Sequence, residues 1–337
     1  MIGRRLLFHP NARIEIESFE VPQPVDRQIL VAVTRSQVSA GSELNYIRGG
    51  PQAYGIVQAD PARGYPIGYM AVGRVIQLGA GATGFAPGDR VLTGGHHASR
   101  WLVDPAQPGG HIYHVPDGVG DDAAGFAILG DVALHGVRRA QLQIDQSVAV
   151  FGMGMVGQLT LQLARLSGAH PLIAVDLSDM RLERARRSGA THLINAARED
   201  AVARIRAITE GAGAEAIFHC TPAASILQQL LAACADRGRV VLTGSAPGTA
   251  TIGLQEDLLR REITITGIYE TRLDEAHPYW PWTRARNRRA CLRLMAEGHL
   301  QVDGLITHVV PFGQTQAMFE TMLRGTDDWL GVVVDWS

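Results

Sequence analysis

The sequence predicts an α/β protein in which a doubly wound parallel sheet follows a β-rich N-terminal region. Up to about residue 118, short apolar runs are separated by Gly and Pro, which is typical of short strands. From Asp121 onward, apolar strands alternate with helical segments, the pattern of a parallel sheet with helices on both faces. A chain of 337 residues suggests about two domains, each able to bury its own core.

The N-terminal region, residues 1–120, is predicted to contain short strands at Ile29–Val33, Val72–Ile76, Asp89–Leu92 and Arg100–Val103. A helical stretch from Asp121 to Arg139 follows. This change of hydrophobic period predicts a domain boundary near residue 120.

The second region, residues 121–268, is predicted from a series of strands with helices between them: Val148–Phe151, Pro171–Asp176, Ala216–Cys220, Arg239–Leu242 and Ile263–Gly267. The remaining residues, 269–337, begin with an aromatic and arginine-rich segment. A helix ending near Gly298 and a final β stretch from Thr307 to Trp336 complete the prediction.

The most specific motif is Gly152-Met-Gly154-Met-Val-Gly157, which joins the first of these strands to a helix. Gly152 suits a tight turn, Gly154 suits close approach of a pyrophosphate, and Gly157 suits close packing of helix on strand. The helix N-terminus offers its N–H groups to phosphates. Asp176 ends the next strand, about twenty residues past the motif, where a carboxylate accepts hydrogen bonds from an adenosine ribose. These features predict a dinucleotide site.

The acidic residue also predicts which dinucleotide binds. A carboxylate at Asp176 would repel the 2′-phosphate of NADP, so NAD is favoured and NADP is the weaker alternative. Arg181 lies five residues further on, at the predicted start of a helix, where its side chain can lie along the adenine.

Composition excludes several classes of function. The net charge of −2 offers no field for nucleic acid or an anionic membrane, and no apolar run approaches the roughly twenty residues that span a bilayer. All 31 basic residues are arginine, which excludes Schiff-base chemistry on lysine. Cys220, Cys234 and Cys291 follow no metal-ligand or disulfide spacing. We expect a cytoplasmic protein that acts on a small molecule.

Three further motifs carry a resemblance to a known family. Gly41-Ser-Glu-Leu-Asn45 resembles its G-[ST]-[DE]-L-x turn, and Leu134–Arg139 resembles the segment before its cofactor-binding strand. Gly68-Tyr-Met-Ala-Val-Gly-Arg-Val75 with Pro87-Gly-Asp-Arg-Val91 is similar to its G-H-E-x-x-G-x-V…G-D-x-V signature. Over essentially its whole length the chain resembles the medium-chain dehydrogenase/reductase family, in its zinc-type alcohol dehydrogenase-like form.

The resemblance implies a GroES-like β-barrel catalytic domain over residues 1–120 and a Rossmann domain over 121–268. Residues 269–337 would return to complete the catalytic domain. Family members often expose the sheet edge that corresponds to Ile263–Gly267, and we expect this edge, with Ala250–Gly253 nearby, to build a homodimer or homotetramer. The remaining cofactor contacts implied by the family lie at the helix start and after the strands: Met155, Val156, Cys220, Thr221, Thr243, Gly244, Ser245, Gly267 and Tyr269.

The chain departs from the zinc-dependent members at the metal site. The positions that match the catalytic ligands, or lie beside them, carry no suitable ligand: Ala40, Tyr69, Met70 and Ile128. The adjacent His96 and His97 lack a third partner. We therefore expect no zinc. The chain is more similar to the zinc-free branch that includes bacteriochlorophyllide 2-hydroxyethyl dehydrogenase-like proteins, which carry Gly-Tyr in place of Gly-His.

Without a metal, another group must hold or move the alcohol proton as the hydride leaves. Ser42 matches the hydroxyl that begins the proton relay of zinc relatives, Tyr69 stands where a ligand stood, and Asp131 lies three residues past the lost acidic ligand. Each has a structural alternative. Ser42 could cap a turn, Tyr69 could fill the space left by zinc, and Asp131 could cap a helix.

The substrate pocket is predicted to include Asn45, Tyr54, Gly94, His96 and Trp280. Glu43 is interpreted as structural, because the family's acid at this turn pairs with a buried arginine. His135 is interpreted as a core histidine rather than a base. The aromatics and arginines of segment 274–289 either clamp a large or anionic substrate or pack ahead of a helix with a solvated basic face.

These features predict a zinc-independent, NAD-dependent alcohol dehydrogenase or ketone reductase. The alternative is a zinc-free, NADPH-dependent enone or quinone (C=C) reductase. Asp176 and the polyol- and threonine-dehydrogenase-like segment Leu134–Arg139 favour the first function. A redox-sensing or structural role for the dinucleotide domain is a third hypothesis, and the intact glycines and Ser42 argue against it.

Overall fold

The computed structural model of the protein describes residues 1–9, 13–49, 64–107, 109–269, 274–325 and 328–337. The chain forms two compact units, which are Met1–Ile128 together with Val302–Ser337, and Leu129–Gln301. Residues 274–301, which the predicted boundaries assigned to the C-terminal return, belong to the second unit in this division. The predicted pocket residue Tyr54 lies outside the described residues.

The strands within the described ranges are β1 (Ile2–Phe8), β2 (Ile14–Glu20), β3 (Ile29–Gln37), β4 (Tyr65–Pro66), β5 (Ala71–Leu78), β6 (Arg90–Thr93), β7 (Arg100–Val103), β8 (Ile112–His114), β9 (Val148–Phe151), β10 (Leu172–Asp176), β11 (His192–Asn195), β12 (Ala214–His219), β13 (Cys234–Leu242), β14 (Thr264–Gly267), β15 (Ile306–Pro311) and β16 (Gly331–Asp335).

The α-helices in the same part of the chain are α1 (Ala40–Gly49), α2 (Asp121–Ala124), α3 (Ala127–Ala140), α4 (Met155–Leu166), α5 (Asp179–Arg187), α6 (Ala201–Ile208), α7 (Leu227–Ala233), α8 (Arg284–Ala296) and α9 (Thr315–Arg324). None of these helices is both long and apolar enough to cross a membrane.

The first unit is built on two sheets, as the β-rich N-terminal region predicted. The larger sheet has the order β15-β16-β3-β5-β6-β8, with β7 also paired to β3, and the smaller has the order β2-β1-β4. Most neighbouring strands are antiparallel. The core of this unit is apolar and includes the aromatic pair Phe8 and Phe319.

The predicted final β stretch from Thr307 to Trp336 was wrong. Two parallel strands, β15 and β16, are separated by helix α9. Parallel neighbours require a crossover rather than a hairpin, and a helix commonly provides it. The signal in the sequence is the buried set Met318, Phe319 and Met322, whose spacing is helical rather than alternating.

The predicted helical stretch Asp121–Arg139 is interrupted at Gly125 and Phe126, between α2 and α3. A Cβ at Gly125 would lie 1.6 Å from the Oε1 atom of Gln37, so a larger residue here would displace the Gln37 side chain. The Gln37 side chain also donates to the carbonyl oxygens of Asp121 and Asp122. The interruption therefore lets α2 pack closely against β3.

The second unit contains a parallel sheet with the strand order β11-β10-β9-β12-β13-β14. Numbered from β9, this is the 3-2-1-4-5-6 order of a doubly wound dinucleotide-binding sheet, and it confirms the predicted fold class. All four residues of β9 are buried. The register pairs Phe151 with His219, His219 with Leu242 and Leu242 with Gly267, so these strands end at one edge of the sheet.

Candidate dinucleotide site and hydroxyl cluster

The glycine motif connects β9 to α4 at this carboxyl edge. Gly152 has φ of 91°, and a Cβ there would lie 2.7 Å from Thr221 Cγ2. A Cβ at Gly157 would lie 1.8 Å from the Gly152 carbonyl oxygen. Both positions therefore require glycine, one for a left-handed turn and one for close contact of helix and loop.

The opposite side of the motif is open. A Cβ added at Gly154 would meet no heavy atom within 4 Å, and Gly154 precedes the first residues of α4, Met155 and Val156. No side chain among the described residues caps this helix. The N–H groups of its first turn are therefore available to a phosphate, and the open face of Gly154 leaves room for one.

Asp176 ends β10 beside the glycine motif. Its Oδ2 accepts from the backbone N–H of Met153 at 2.5 Å, and its Oδ1 accepts from that of Ser178 at 2.9 Å. A carboxylate has about four acceptor sites, so two remain for a ribose diol. Arg181 lies in the first turn of α5, where its carbonyl accepts from the Gln158 side chain at 2.8 Å. This contact ties α5 to α4.

The other predicted cofactor residues follow β12, β13 and β14 at the same edge. Cys220 and Thr221 lie against Gly152, and a Cβ at Gly244 would be 2.9 Å from the Cys220 carbonyl carbon. Burial raises the pKa of the Cys220 thiol to about 12, so the thiol is neutral. The sheet order thus brings together the predicted residues that follow its strands: Cys220, Thr221, Thr243, Gly244, Ser245, Gly267 and Tyr269.

Tyr69 belongs to a cluster of hydroxyl groups in the first unit. Its hydroxyl donates to the Oγ of Ser39 and lies 3.4 Å from the Oγ of Ser42. Ser39 is buried and directly precedes α1, and Ser42 lies in the first turn of that helix. The predicted turn Gly41–Asn45 is therefore helical. Sequence reasoning missed Ser39, although a serine just ahead of an acidic first turn is a signal for a helix start.

A buried chain of polar side chains supports the start of α1. Trp336 Nε1 donates to Ser36 Oγ at 2.8 Å, and Ser36 lies 2.7 Å from Nδ1 of His97. The Nε2 atom of His97 lies 3.1 Å from Oε2 of Glu43, whose Oε1 accepts from the Ser39 backbone N–H. The indole N–H of Trp336 can only donate, so the Ser36 oxygen accepts from it. The Ser36 hydroxyl then donates to Nδ1 of His97, and the protonated Nε2 of His97 donates to Glu43.

Glu43 is structural, as expected, but its partner differs from the one the family implied. The carboxylate pairs with His97 rather than with a buried arginine, and both side chains are almost fully buried. A buried carboxylate is stable only with hydrogen-bond donors on its oxygens, and His97 and the Ser39 N–H supply them.

The turn that contains His96 and His97 also fixes the backbone beside Tyr69. The His97 N–H donates to the Ile67 carbonyl at 3.0 Å, and His96 Nδ1 donates to the Gly68 carbonyl at 2.8 Å. Gly68 has φ of 100°, and a Cβ there would lie 2.8 Å from the His97 ring. The two histidines thus hold Gly68 and Tyr69 in place.

The positions that match the family's zinc site do not fit the metal. Ala40 and Ile128 have no donor atom, Met70 is a fully buried thioether, and the Tyr69 hydroxyl is engaged with serine. Over the described ranges, no three His, Cys, Asp or Glu side chains are grouped as metal ligands.

Asp131 lies inside α3, so the helix-cap alternative for it was wrong. Its side chain is fully buried, with Oδ1 accepting from Asn287 at 2.8 Å and Oδ2 lying 3.3 Å from the Nε of Arg288. This ion pair joins α3 to α8 within the second unit. A carboxylate with these partners is stabilised in its charged form.

The predicted pocket residues have different surroundings. Asn45 is half-buried, and its Nδ2 atom has no partner among the described residues. Gly94 lies near the Tyr69 carbonyl, at 4.0 Å from an added Cβ. His96 lines a groove with Phe19, Trp101 and others, and burial lowers its pKa. Trp280 lies edge-on to His135 in the second unit.

The chain is similar in sequence to known dehydrogenases. A family model described as zinc-binding dehydrogenase matches residues 155–284. Sorbitol dehydrogenase of Bacillus subtilis is 26% identical over 97% of this chain and 96% of its own. L-threonine 3-dehydrogenase of Pyrococcus horikoshii is 27% identical over 94% of each chain.

Solved structures share the fold. The crystal structure of 2R,3R-butanediol dehydrogenase from Bacillus subtilis has a TM-score of 0.83 at 22% identity, covering 99% of this chain and 100% of that one. A zinc-binding dehydrogenase from Sinorhizobium meliloti, bound to NADP, has a TM-score of 0.82 at 20% identity and covers 99% of both chains.

Proposed function

We propose that the chain, whose relatives are zinc-type alcohol dehydrogenase-like proteins of the medium-chain dehydrogenase family, transfers a hydride between NAD and a secondary alcohol or ketone without zinc. The observation that carries the proposal is the glycine loop and Asp176 meeting at the carboxyl edge of a 3-2-1-4-5-6 sheet. Sorbitol, threonine and butanediol, named in the relatives, all carry secondary hydroxyl groups.

The residues at this edge fit NAD. The open face of Gly154 and the first turn of α4 would hold the pyrophosphate, and Asp176 would accept from the adenosine ribose. Bound there, the nicotinamide supplies the hydride acceptor or donor. The Asp176 carboxylate supports NAD over NADP, because it would repel a 2′-phosphate. Among the described residues, no arginine pairs with this carboxylate to offset its charge.

The hydroxyl cluster supports a metal-free path for the proton. As an alcohol loses hydride, its O–H proton must leave. Tyr69 can accept that proton on its hydroxyl oxygen while passing its own to Ser39, to which it already donates, and the Ser39 hydroxyl releases its proton in turn to solvent water, so that each hydroxyl ends neutral. Ser42 is a second nearby acceptor, at 3.4 Å. In this proposal Tyr69 takes the proton from the substrate oxygen, and Ser42 is one of the hydroxyl groups that carry it onward. Asp131 takes no part in the proton transfer and only pairs with Arg288.

Cofactor titration tests the first part of the proposal. NADH and NADPH are titrated separately against the protein by nicotinamide fluorescence. NADH should bind more tightly, and Asp176→Ser should reduce the difference by weakening NADH more than NADPH. Tighter binding of NADPH by the parent protein would contradict the NAD assignment and favour the enone reductase alternative.

Metal removal tests the second part. A panel of secondary alcohols with NAD is assayed before and after dialysis against a chelator, with elemental analysis of the same samples. Turnover should survive chelation, since the ligand positions carry no donor set for zinc. One zinc per chain, lost together with turnover, would overturn the zinc-free mechanism.

A further inference from the structure

A cluster of arginine and tryptophan side chains lies on the second unit, outside the residues assigned to the cofactor. We define the Arg–Trp cluster as Arg138 and Arg139 of α3, Trp280 and Trp282 of the segment just before α8, and Arg286 of α8. The Cζ atoms of Arg138 and Arg286 lie 3.7 Å and 3.9 Å from the centroid of Trp282. Two guanidinium groups therefore lie over the same indole ring.

The second tryptophan extends the cluster. Arg139 lies over the Trp280 ring at 5.3 Å, and His135 lies edge-on to the same ring at 5.6 Å. These contacts support the aromatic-packing interpretation of the segment. A guanidinium group that stacks on a ring uses its planar face, so the in-plane N–H donors of Arg138 and Arg286, whose Cζ atoms lie closest to a ring, can still bond to other groups.

The cluster has an excess of positive charge. Among the described residues, Arg138, Arg139 and Arg286 form no ion pair with a carboxylate. Two acidic residues of the same unit form ion pairs with other arginines, Asp131 with Arg288 and Asp274 with Arg284. Burial, and after it the charge of Arg286, lowers the pKa of Arg138 to about 10. Crowded cations of this kind are stabilised by an anion.

The cluster also has more donors than acceptors. Arg138 donates to Asn287, and Arg286 donates weakly to the Pro281 carbonyl at 3.4 Å. The indole N–H of Trp280 and the Nδ1 atom of His135 are buried and find no partner in the described part of the chain. Buried polar groups are almost always satisfied, so the unmatched indole N–H of Trp280 beside unpaired cations points to a ligand that accepts hydrogen bonds.

The location of the cluster relates it to the dinucleotide site. Gly136 of α3 packs against Thr243, at 3.1 Å from an added Cβ to the Thr243 hydroxyl. His135 and Arg139 lie within one helical turn of Gly136. The helix that carries two of the arginines therefore passes the edge of the sheet where the cofactor residues lie.

We propose that the Arg–Trp cluster binds an oxyanion group, a phosphate or a carboxylate, carried by the substrate. Stacked guanidinium groups are oriented in advance for bidentate contact with such a group. The identification of the ligand as substrate rests on the proposed oxidoreductase function, whereas oxyanion binding by the cluster does not. The substrate class is then an alcohol or ketone that bears an anionic group.

A binding experiment tests the site directly. Inorganic phosphate and acetate are titrated separately by calorimetry at low salt, with the full chain saturated with NADH so that the glycine loop is occupied. Arg139→Gln and Arg286→Gln are compared with Arg186→Gln, an exposed helical arginine paired with Glu183 in the same unit. Each cluster variant should weaken binding about tenfold, the usual effect of losing a charge-assisted hydrogen bond. The control should bind like the parent protein.

The outcomes separate the alternatives. Tighter binding of phosphate identifies a phosphate ester as the substrate class, and tighter binding of acetate identifies a carboxylate. Absence of binding, or binding that the two cluster variants leave unchanged, overturns the proposal. If NADH fails to bind, the same anions are titrated against the protein alone. Weaker binding by the two cluster variants then shows that the anion binds at the Arg–Trp cluster, because these substitutions would not affect binding at the glycine loop.

A kinetic arm tests the link to the substrate. For alcohols matched in carbon skeleton, Arg139→Gln should raise KM for the anionic member about tenfold with kcat nearly unchanged, and should leave the neutral member unaffected. An equal effect on both members would show that the cluster does not contact the substrate.

Discussion

At the scale of single residues, Tyr69 is constrained from two directions. The turn of His96 and His97 holds the peptide on one side of its backbone, and Ser39 accepts from its hydroxyl. A phenol in this position needs a hydrogen-bond partner in any role, but the two serine hydroxyls beside Tyr69 also offer a path for its proton. The arrangement therefore supports a proton-transfer role for the phenol.

Replacing Tyr69 with phenylalanine tests this role. Tyr69→Phe should lower kcat about 100-fold or more with little change in NADH affinity, the effect usual for losing a general acid or base. Ser42→Ala should have a smaller effect, and its effect should shrink in the Tyr69→Phe background, because residues acting as one unit are not additive.

Ser39→Ala provides the matched comparison, since it removes the acceptor and keeps the phenol. It should lower kcat by an intermediate factor and change its pH profile. If Tyr69→Phe retains near-full turnover in steady-state assays, the phenol only packs, and another group must carry the proton.

His135 gives a second prediction at this scale, about stability and pH. Burial lowers its pKa to about 4, below the value near 6.5 of an unfolded chain. Between these values the unfolded chain binds more protons, so the stabilisation from neutral His135 is present above pH 6.5 and declines as the pH falls toward 4. The loss at pH 5 is about 2 kcal/mol.

Thermal unfolding across this pH range measures the effect. His135→Gln should show a shallower fall in Tm between pH 7 and pH 5 than the parent protein. His192→Gln, at an exposed histidine of the same unit, should follow the parent curve. Parallel curves for all three proteins would contradict the assignment.

At the scale of elements, helices α3 and α8 are joined by a buried ion pair that neither helix specifies alone. Asp131 and Arg288 are almost fully buried, and Asn287 donates to the same carboxylate. Each charge depends on its partner, because isolated buried charges are strongly destabilising. The pair therefore sets how these helices pack within the second unit.

Asp131→Asn should destabilise the second unit by about 3 kcal/mol, because Arg288 is left buried without its counter-charge. Urea unfolding followed by tryptophan fluorescence measures the change. The pH profile of kcat should stay unchanged, which separates this structural role from a role as general base. Asp131→Leu combined with Arg288→Met should recover much of the loss, since a buried ion pair can be replaced by apolar packing.

At the scale of the whole molecule, the parallel sheet of the second unit ends in a strand that has a neighbour on one side only within the described chain. Strand β14 pairs with β13, and its residue Thr264 is exposed. The second β-prone piece, Ala250–Gly253, forms no strand in the structure. An open edge of this kind invites pairing with a second copy.

We predict a homodimer, or a homotetramer built from it, in which two copies of β14 pair across a two-fold axis. Light scattering at micromolar concentration should give at least twice the chain mass. Thr264→Asp should weaken the assembly, because symmetry brings the two new charges close together. Thr83→Asp, an exposed threonine of the first unit, serves as the control. A monomer mass for the parent protein would refute the prediction.

The sequence alone determined the class of fold and the place of the glycine loop between strand and helix. These depend on local requirements that a chain displays directly, namely the alternation of strands and helices and the glycines at 152 and 157, where no side chain fits. The order of strands in the parallel sheet was not predicted and comes from the structure.

Only the tertiary structure decided which polar side chains meet. Ser39 joined Tyr69, His97 replaced an expected arginine beside Glu43, and Asp131 turned from a candidate base into one half of an ion pair with Arg288. These partners are 30, 54 and 157 residues apart in the chain. Periodicity and spacing describe which face of an element a residue occupies, but the identity of its partner depends on how distant elements pack against each other.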